Sequence, residues 1–155
     1  RVQDLTRYRS DFFGRLREIL EGRADVRVVG DRFVFQSEVL FDPGVATISE
    51  AGLPGLDALA DAILQLEEEI PDDINWVLRI DGHTDRRPIS SARFPSNWEL
   101  SAARAISVAE YLVEQGVPPA RLVAAGFGEF APLDPADTEE AYRRNRRIEF
   151  KLTEG

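Results

Sequence analysis

Apolar residues fall at Leu5, Tyr8, Phe12, Leu16 and Ile19, three or four positions apart, and this spacing predicts an amphipathic helix over residues 3–21. Such a helix is marginal alone and needs a surface to lie on. Two short extended runs follow, Val26 to Val29 and Phe33 to Gln36, joined by Gly30-Asp31 as a hairpin turn. Phe41-Asp42-Pro43-Gly44 breaks the chain. From about Ser49 to Ile70, Leu53, Leu56, Leu59, Ala60, Ile63, Leu66 and Ile70 mark one helical face, which Pro71 stops. The run Trp76-Val77-Leu78-Arg79-Ile80 reads as a strand that ends at Gly82.

The pair Ser96 and Glu99 is a capping box that opens a helix from about Asn97 to Gln115, closed by Gly116 and Pro118-Pro119. At 100° per residue, its core-facing arc takes Ala105, Ile106, Val108, Ala109, Leu112 and Val113, with Arg104 at the edge between Tyr111 and Val108. Leu122 to Ala125 is a further strand, and a short helix near Thr138 to Arg144 leads into Ile148-Glu149-Phe150-Lys151-Leu152, which alternates as an edge or half-buried strand does. The alternation of strands and helices favours an α/β sandwich with helices packed on a sheet. Residues 1–24 read as an N-terminal helix and linker, and residues 25–155 as the domain proper.

Composition narrows the function. A chain of 155 residues with 43% hydrophobic and 30% charged content is a globular domain with a real core. Its net charge of −9 argues against a nucleic-acid partner, and the basic run Arg143 to Arg147 is too short to reverse that. With no Cys there is no disulfide framework, thiolate zinc site or thiol nucleophile. The chain opens on Arg1, without a signal peptide or an apolar run near the roughly 20 residues of a membrane span, and is expected to be part of a longer protein.

The chemistry gathers around Asp81-Gly82-His83-Thr84-Asp85 and the helix that carries Arg104. An acid leaving a strand and a base on the next helix suit a zwitterionic ligand. Each residue also has an ordinary reading: Asp85 caps a turn or pairs with Arg86 or Arg87, and Arg104 lays its stem on Tyr111 with its guanidinium in water. A triad of His83, Asp85 and Ser101 is rejected, because no Gly-x-Ser-x-Gly elbow is present; a transition-metal site is disfavoured separately, because a lone His is a poor start for one. Gly126-x-Gly128-x-x-Ala131 matches a loose dinucleotide pattern, but Pro132 and Pro135 block the helix that pattern needs, so these glycines are assigned to a turn. The acidic run Glu67-Glu68-Glu69 with Asp72-Asp73 is read as a solvated helix end. Arg143, Arg144, Arg146 and Arg147 either grip an anionic partner or answer a helix dipole.

Gly82-His83-Thr84-Asp85, Asn97-x-x-Leu100-Ser101-x-x-Arg104-Ala105, Gly126-x-Gly128-x-x-x-Pro132 and Asn145-Arg146-Arg147-Ile148-Glu149, in that order, resemble the OmpA-like C-terminal domain family over about residues 38–152. Leu40-Phe41-Asp42-Pro43-Gly44-x-Ala46 resembles the family's first strand exit. The stretch Phe94-Pro95-Ser96-Asn97-Trp98-Glu99-Leu100 looks most like the MotB subgroup, the flagellar stator B subunits; the insertion around Arg86-Arg87-Pro88 departs from the general pattern. The resemblance implies a two-layer α/β (α+β) sandwich with a mixed sheet, non-covalent binding of peptidoglycan, and no cofactor. It implies that Asp85 and Arg104 hold diaminopimelate of the stem peptide, that Asn97, Thr84 and Asp42 shape the pocket, that Leu100 lies beneath it, and that Arg147 is a secondary ligand for carboxylates. It further implies a membrane anchor upstream of Arg1, in the inner membrane, a periplasmic location, a homodimer and an ion-channel partner subunit. The rival readings are a cell-wall hydrolase, for which the chain lacks a nucleophile or metal set, and an envelope interaction module whose N-terminal helix pairs with a partner.

Overall fold

The computed structural model describes residues 2–20, 26–89, 91 and 93–154. Its strands are β1 (Val26–Val29), β2 (Arg32–Gln36), β3 (Trp76–His83), β4 (Leu122–Gly126) and β5 (Arg147–Glu154). They form one sheet in the order β1-β2-β5-β3-β4. β3 and β4 are parallel and every other neighbouring pair is antiparallel, so the sheet is mixed as expected. The helices are α1 (Val2–Leu20), α2 (Ser37–Leu40), α3 (Leu53–Glu69), α4 (Asn97–Glu114) and α5 (Glu139–Asn145).

Alternation along the strands decides where the core lies. Phe33 and Phe35 of β2, Trp76, Leu78 and Ile80 of β3, and Ile148, Phe150 and Leu152 of β5 share one buried cluster with Phe12 and Leu16 of α1, Leu56, Leu59, Ile63 and Leu66 of α3, and Ala105, Val108 and Leu112 of α4. The surface that α1 needs is therefore α3 and the end of the sheet, where Phe13 stacks on Phe33 with centroids 4.6 Å apart. Burying a Phe or Leu side chain contributes roughly 1.5–3 kcal/mol. Leu5 and Ile19 of the predicted stripe have side chains outside the described residues, as does the boundary placed between residues 24 and 25.

Two expectations are corrected, and one element is added. β5 is not an edge: it pairs with β2 on one side and β3 on the other, so both rows of its backbone groups are used. Two of its polar positions, Arg147 and Glu149, are buried too, and Glu149 accepts from Arg32 at 2.6 Å and from Arg147 at 2.5 Å. Ile106 and Val113 of α4 face water, 47% and 38% exposed, while Ser101 and Arg104 are buried. α4's buried stripe runs through Leu100, Ser101, Arg104, Ala105, Val108 and Leu112, because α4 lies on β3 and β4 and only touches α3. Lastly, the chain leaves β2 through the single turn α2 before the Phe41-Asp42-Pro43-Gly44 break.

Two glycines make the α4 contact possible. A Cβ on Gly82 of β3 would stand 2.3 Å from the Ser101 carbonyl oxygen, and one on Gly126 of β4 would stand 2.6 Å from the Ala102 nitrogen. Gly126 therefore serves close helix-to-sheet approach rather than a turn. Gly128, with φ +62°, takes the turn role.

Candidate ligand-binding site

The end of β3, the first two turns of α4, α2 and the end of α5 converge on a cavity of about 420 Å³. Ser96 caps α4 by accepting from the Trp98 amide at 3.2 Å, and its hydroxyl donates to the Glu99 carboxylate, so the two residues of the sequence pattern pair side chain to side chain at the helix start. This start sets Asn97, Leu100 and Arg104 on the cavity side, opposite Thr84 and Asp85 from the strand exit. Glu38, Phe41, Arg87 and Arg146 complete the charged and aromatic lining.

Arg104 is 5% exposed, which removes the reading of a wet guanidinium on Tyr111. Its Nε donates to the Val45 carbonyl at 2.8 Å and its Nη2 to the Asp42 carbonyl at 3.1 Å, while the guanidinium lies 4.9 Å from the centre of the Phe41 ring. Burial lowers its pKa to about 10, partly offset by Glu38 and reinforced by Arg146, so it stays charged at neutral pH. Its fork is fixed by the loop after α2 before any ligand arrives.

Asp85 carries both its ordinary reading and a pocket position. Oδ1 accepts from the Arg87 amide at 2.8 Å, and Oδ2 accepts from Arg87 Nη2 and Arg146 Nη1, each at 2.7 Å. Burial opposes ionisation, but the hydrogen bonds from Arg87 and Arg146 outweigh it and hold the Asp85 carboxyl below the usual carboxylate range. Thr84 Oγ1 donates to the Asp85 carbonyl at 2.9 Å, and Asn97 Nδ2 donates to the Arg87 carbonyl at 3.0 Å, so both shape the loop that carries the acid.

Five of the seven residues expected at the site, Thr84, Asp85, Asn97, Leu100 and Arg104, line this one cavity. Asp42 contributes its backbone carbonyl to Arg104 and is not among the lining residues. Arg147 is elsewhere: it is 2% exposed and bonded to Glu149, the Asn145 carbonyl and the Ala131 carbonyl. Strand alternation separates it from its neighbour, since Arg147 and Glu149 share the face of β5 away from the helix layer while Arg146, one residue before the strand, turns into the cavity. Arg146 and Glu38 were missed as a pair because 108 residues separate them and only the fold brings them into contact. His83 and Ser101 form no triad: Ser101 Oγ donates to the Trp98 carbonyl at 3.1 Å and accepts from the Gly128 amide at 3.0 Å, and neither His83 nitrogen is hydrogen-bonded.

Residues 40–146 match the OmpA family model. The chain belongs to the OmpA family. The matched span of this OmpA-family chain contains Asp85, Arg104 and Arg146 and stops short of Arg147. The chain is 33% identical to motility protein B of Bacillus subtilis over 118 residues, 76% of this chain and 42% of that protein, so it spans less than half of that relative. Among solved structures it is similar to a MotB-like protein from Desulfovibrio vulgaris, with a TM-score of 0.85, 31% identity, and coverage of 100% of this chain and 97% of the other. It is similar also to the cell wall anchor of the T6SS from Pseudomonas aeruginosa, with a TM-score of 0.69, 29% identity, and coverage of 97% and 96%.

Proposed function

We propose that this domain is a non-catalytic peptidoglycan anchor in which Asp85 receives the ammonium of diaminopimelate in the stem peptide and Arg104 holds its carboxylate. The observation that carries this reading is the convergence of Asp85 and Arg104 on one cavity, with Arg104 already immobilised. The side chain of diaminopimelate ends in an ammonium and a carboxylate on one carbon, and a carboxylate beside a guanidinium complements it through charge-assisted hydrogen bonds. Arg104 commits Nε and Nη2 to carbonyls, which leaves Nη1 for the ligand. Arg146 replaces Arg147 as the second cation for ligand carboxylates. Arg87, whose side chain is half exposed, swings aside as the ligand ammonium takes its place on Asp85.

The similarity to a cell wall anchor and to motility protein B supports a role in tethering a membrane-bound, MotB-like protein of the periplasm to the wall. Two charge-assisted contacts contribute roughly 1.5–3 kcal/mol each, against an association cost of at least about 4 kcal/mol. One domain therefore holds one stem weakly, and firm anchoring follows from a homodimer engaging repeated stems, where the second contact is intramolecular. An ion-channel partner subunit would be met by the segment upstream of Arg1.

Retention of purified protein on isolated sacculi tests the site. Wild type is expected to sediment with the wall, and Asp85→Asn and Arg104→Ala proteins with unchanged circular dichroism are expected to stay in the supernatant. Undiminished sedimentation of both folded variants would overturn the proposal.

A further inference from the structure

Trp98 and Phe130 are 50% and 62% exposed, yet they stack on each other with ring centroids 4.8 Å apart at 28°. Scattered single apolar side chains on a surface are ordinary. An aromatic pair assembled in advance and left in water is not explained by the core, which neither ring enters.

The pair is held from below by the same backbone that walls the cavity. Trp98 sits in the capped first turn of α4, directly after Asn97, a cavity residue. Phe130 closes a turn in which its amide donates to the Phe127 carbonyl at 3.3 Å. Gly128, inside that turn, lies under both rings: a Cβ there would stand 3.4 Å from Phe130 and 3.6 Å from Trp98. The Gly128 carbonyl accepts from the Thr84 amide at 2.9 Å, and Thr84 lines the cavity. The platform and the pocket thus adjoin across Thr84 and Asn97.

We propose that Trp98 and Phe130 form a stacking platform for a pyranose ring of the glycan strand from which the stem peptide hangs. This inference rests on the peptidoglycan reading of the neighbouring cavity. A pyranose presents a face of polarised C–H groups ringed by hydroxyls; the negative π face of an aromatic ring meets the former and leaves the latter in water. The indole N–H of Trp98 is a donor for an N-acetyl carbonyl. The lactyl ether and two residues lie between the sugar ring and diaminopimelate in a stem peptide, a reach on the order of 10 Å. A sugar and its own stem can therefore be held at adjoining sites, which the shared Thr84-Gly128 wall provides. The occupant is a neutral ring, so the platform adds a contact that salt does not screen beside a pocket that works by charge.

Tryptophan emission reads the platform directly, since the chain has 2 Trp and the other, Trp76, is 1% exposed. Oligosaccharides of N-acetylglucosamine, which carry no carboxylate, are expected to shift the emission saturably in wild type and in Asp85→Asn protein, with affinity about three- to tenfold weaker in Phe130→Ala. By calorimetry, Trp98→Ala is expected to weaken binding of a disaccharide-linked stem peptide by a similar factor and to leave the sugar-free stem peptide unchanged. Absence of any emission response, or a Trp98→Ala effect equal for the two peptides, would overturn the platform. A glycan response that persists while the sugar-free stem fails to bind supports the platform and overturns the pocket reading instead.

Discussion

Arg146 Nη1 lies 2.7 Å from Asp85 Oδ2, although the two residues are 61 positions apart in the chain. Arg146 also pairs through Nε with Glu38 at 2.5 Å, so α2, the β3 exit and the end of α5 are tied together by one guanidinium at the rim of the cavity. Asp85 is thereby ionised and aimed before a ligand arrives, and its ligand must compete with cations already present.

On the proposed binding mode, that competition makes Arg87 a brake on binding. Arg87 reaches Asp85 at 2.7 Å and stacks its guanidinium 4.7 Å from the Tyr142 ring centre, but its side chain is 50% exposed, so the contact is weak. Arg87→Ala is expected to bind a diaminopimelate-containing peptide about threefold more tightly by calorimetry. Weaker binding would show that Arg87 contacts the ligand rather than competing with it.

Arg104 is expected not to tolerate Lys. A lysine has no planar fork to satisfy the Val45 and Asp42 carbonyls together, and it leaves the Phe41 face unstacked. Arg104→Lys should lose about 1–3 kcal/mol in urea denaturation and should fail to sediment with sacculi. Full retention by the lysine variant would mean that a point charge suffices.

Glycine substitutions should separate by position. Gly82→Ala forces a Cβ into the Ser101 carbonyl and is expected to destabilise by about 3 kcal/mol. Gly14→Ala, in α1 with nothing within 4 Å of a new Cβ, should stabilise by about 0.5–1 kcal/mol. Denaturant midpoints of the two variants on either side of wild type would confirm this.

Acid should weaken the fold above the usual carboxylate range because of His83. Burial, with help from Arg147, lowers its pKa to about 4 from an ordinary 6.5. Between those values the unfolded chain binds the extra proton, so stability rises with pH across that window and falls as pH drops through it. Glu149 and Asp85, both held below their ordinary values, add their losses below this window, while Asp81, raised by burial, acts in the opposite sense. Wild type should therefore lose on the order of 2 kcal/mol between pH 6.5 and 4.5, and His83→Phe markedly less. Parallel pH profiles for the two proteins would remove His83 from the account.

The elements were legible because their signals are local. The Ser96 and Glu99 capping box, the Gly30-Asp31 hairpin and the Pro71 stop each fix a boundary within a few residues of the chain, and all three stand where they were read. Apolar spacing likewise found the stripe of α1 that Phe12 and Leu16 bury, and the motif order singled out Asp85 and Arg104, which line one cavity. Periodicity failed on α4, where Ile106 and Val113 were assigned inward, because a wheel reports which residues are apolar and not how wide a face the sheet can cover.

Local pattern alone thus determined the four longer helices, the strands, their alternation and the pair of charges bracketing the α4 capping motif, since each depends on near neighbours in the chain. Tertiary structure decided that β5 lies inside the sheet, that Gly126 admits α4 to the sheet, and that Arg146 rather than Arg147 enters the cavity. Those outcomes turn on which distant segment supplies the hydrogen-bond partner or the charge, and chain order does not encode that distance.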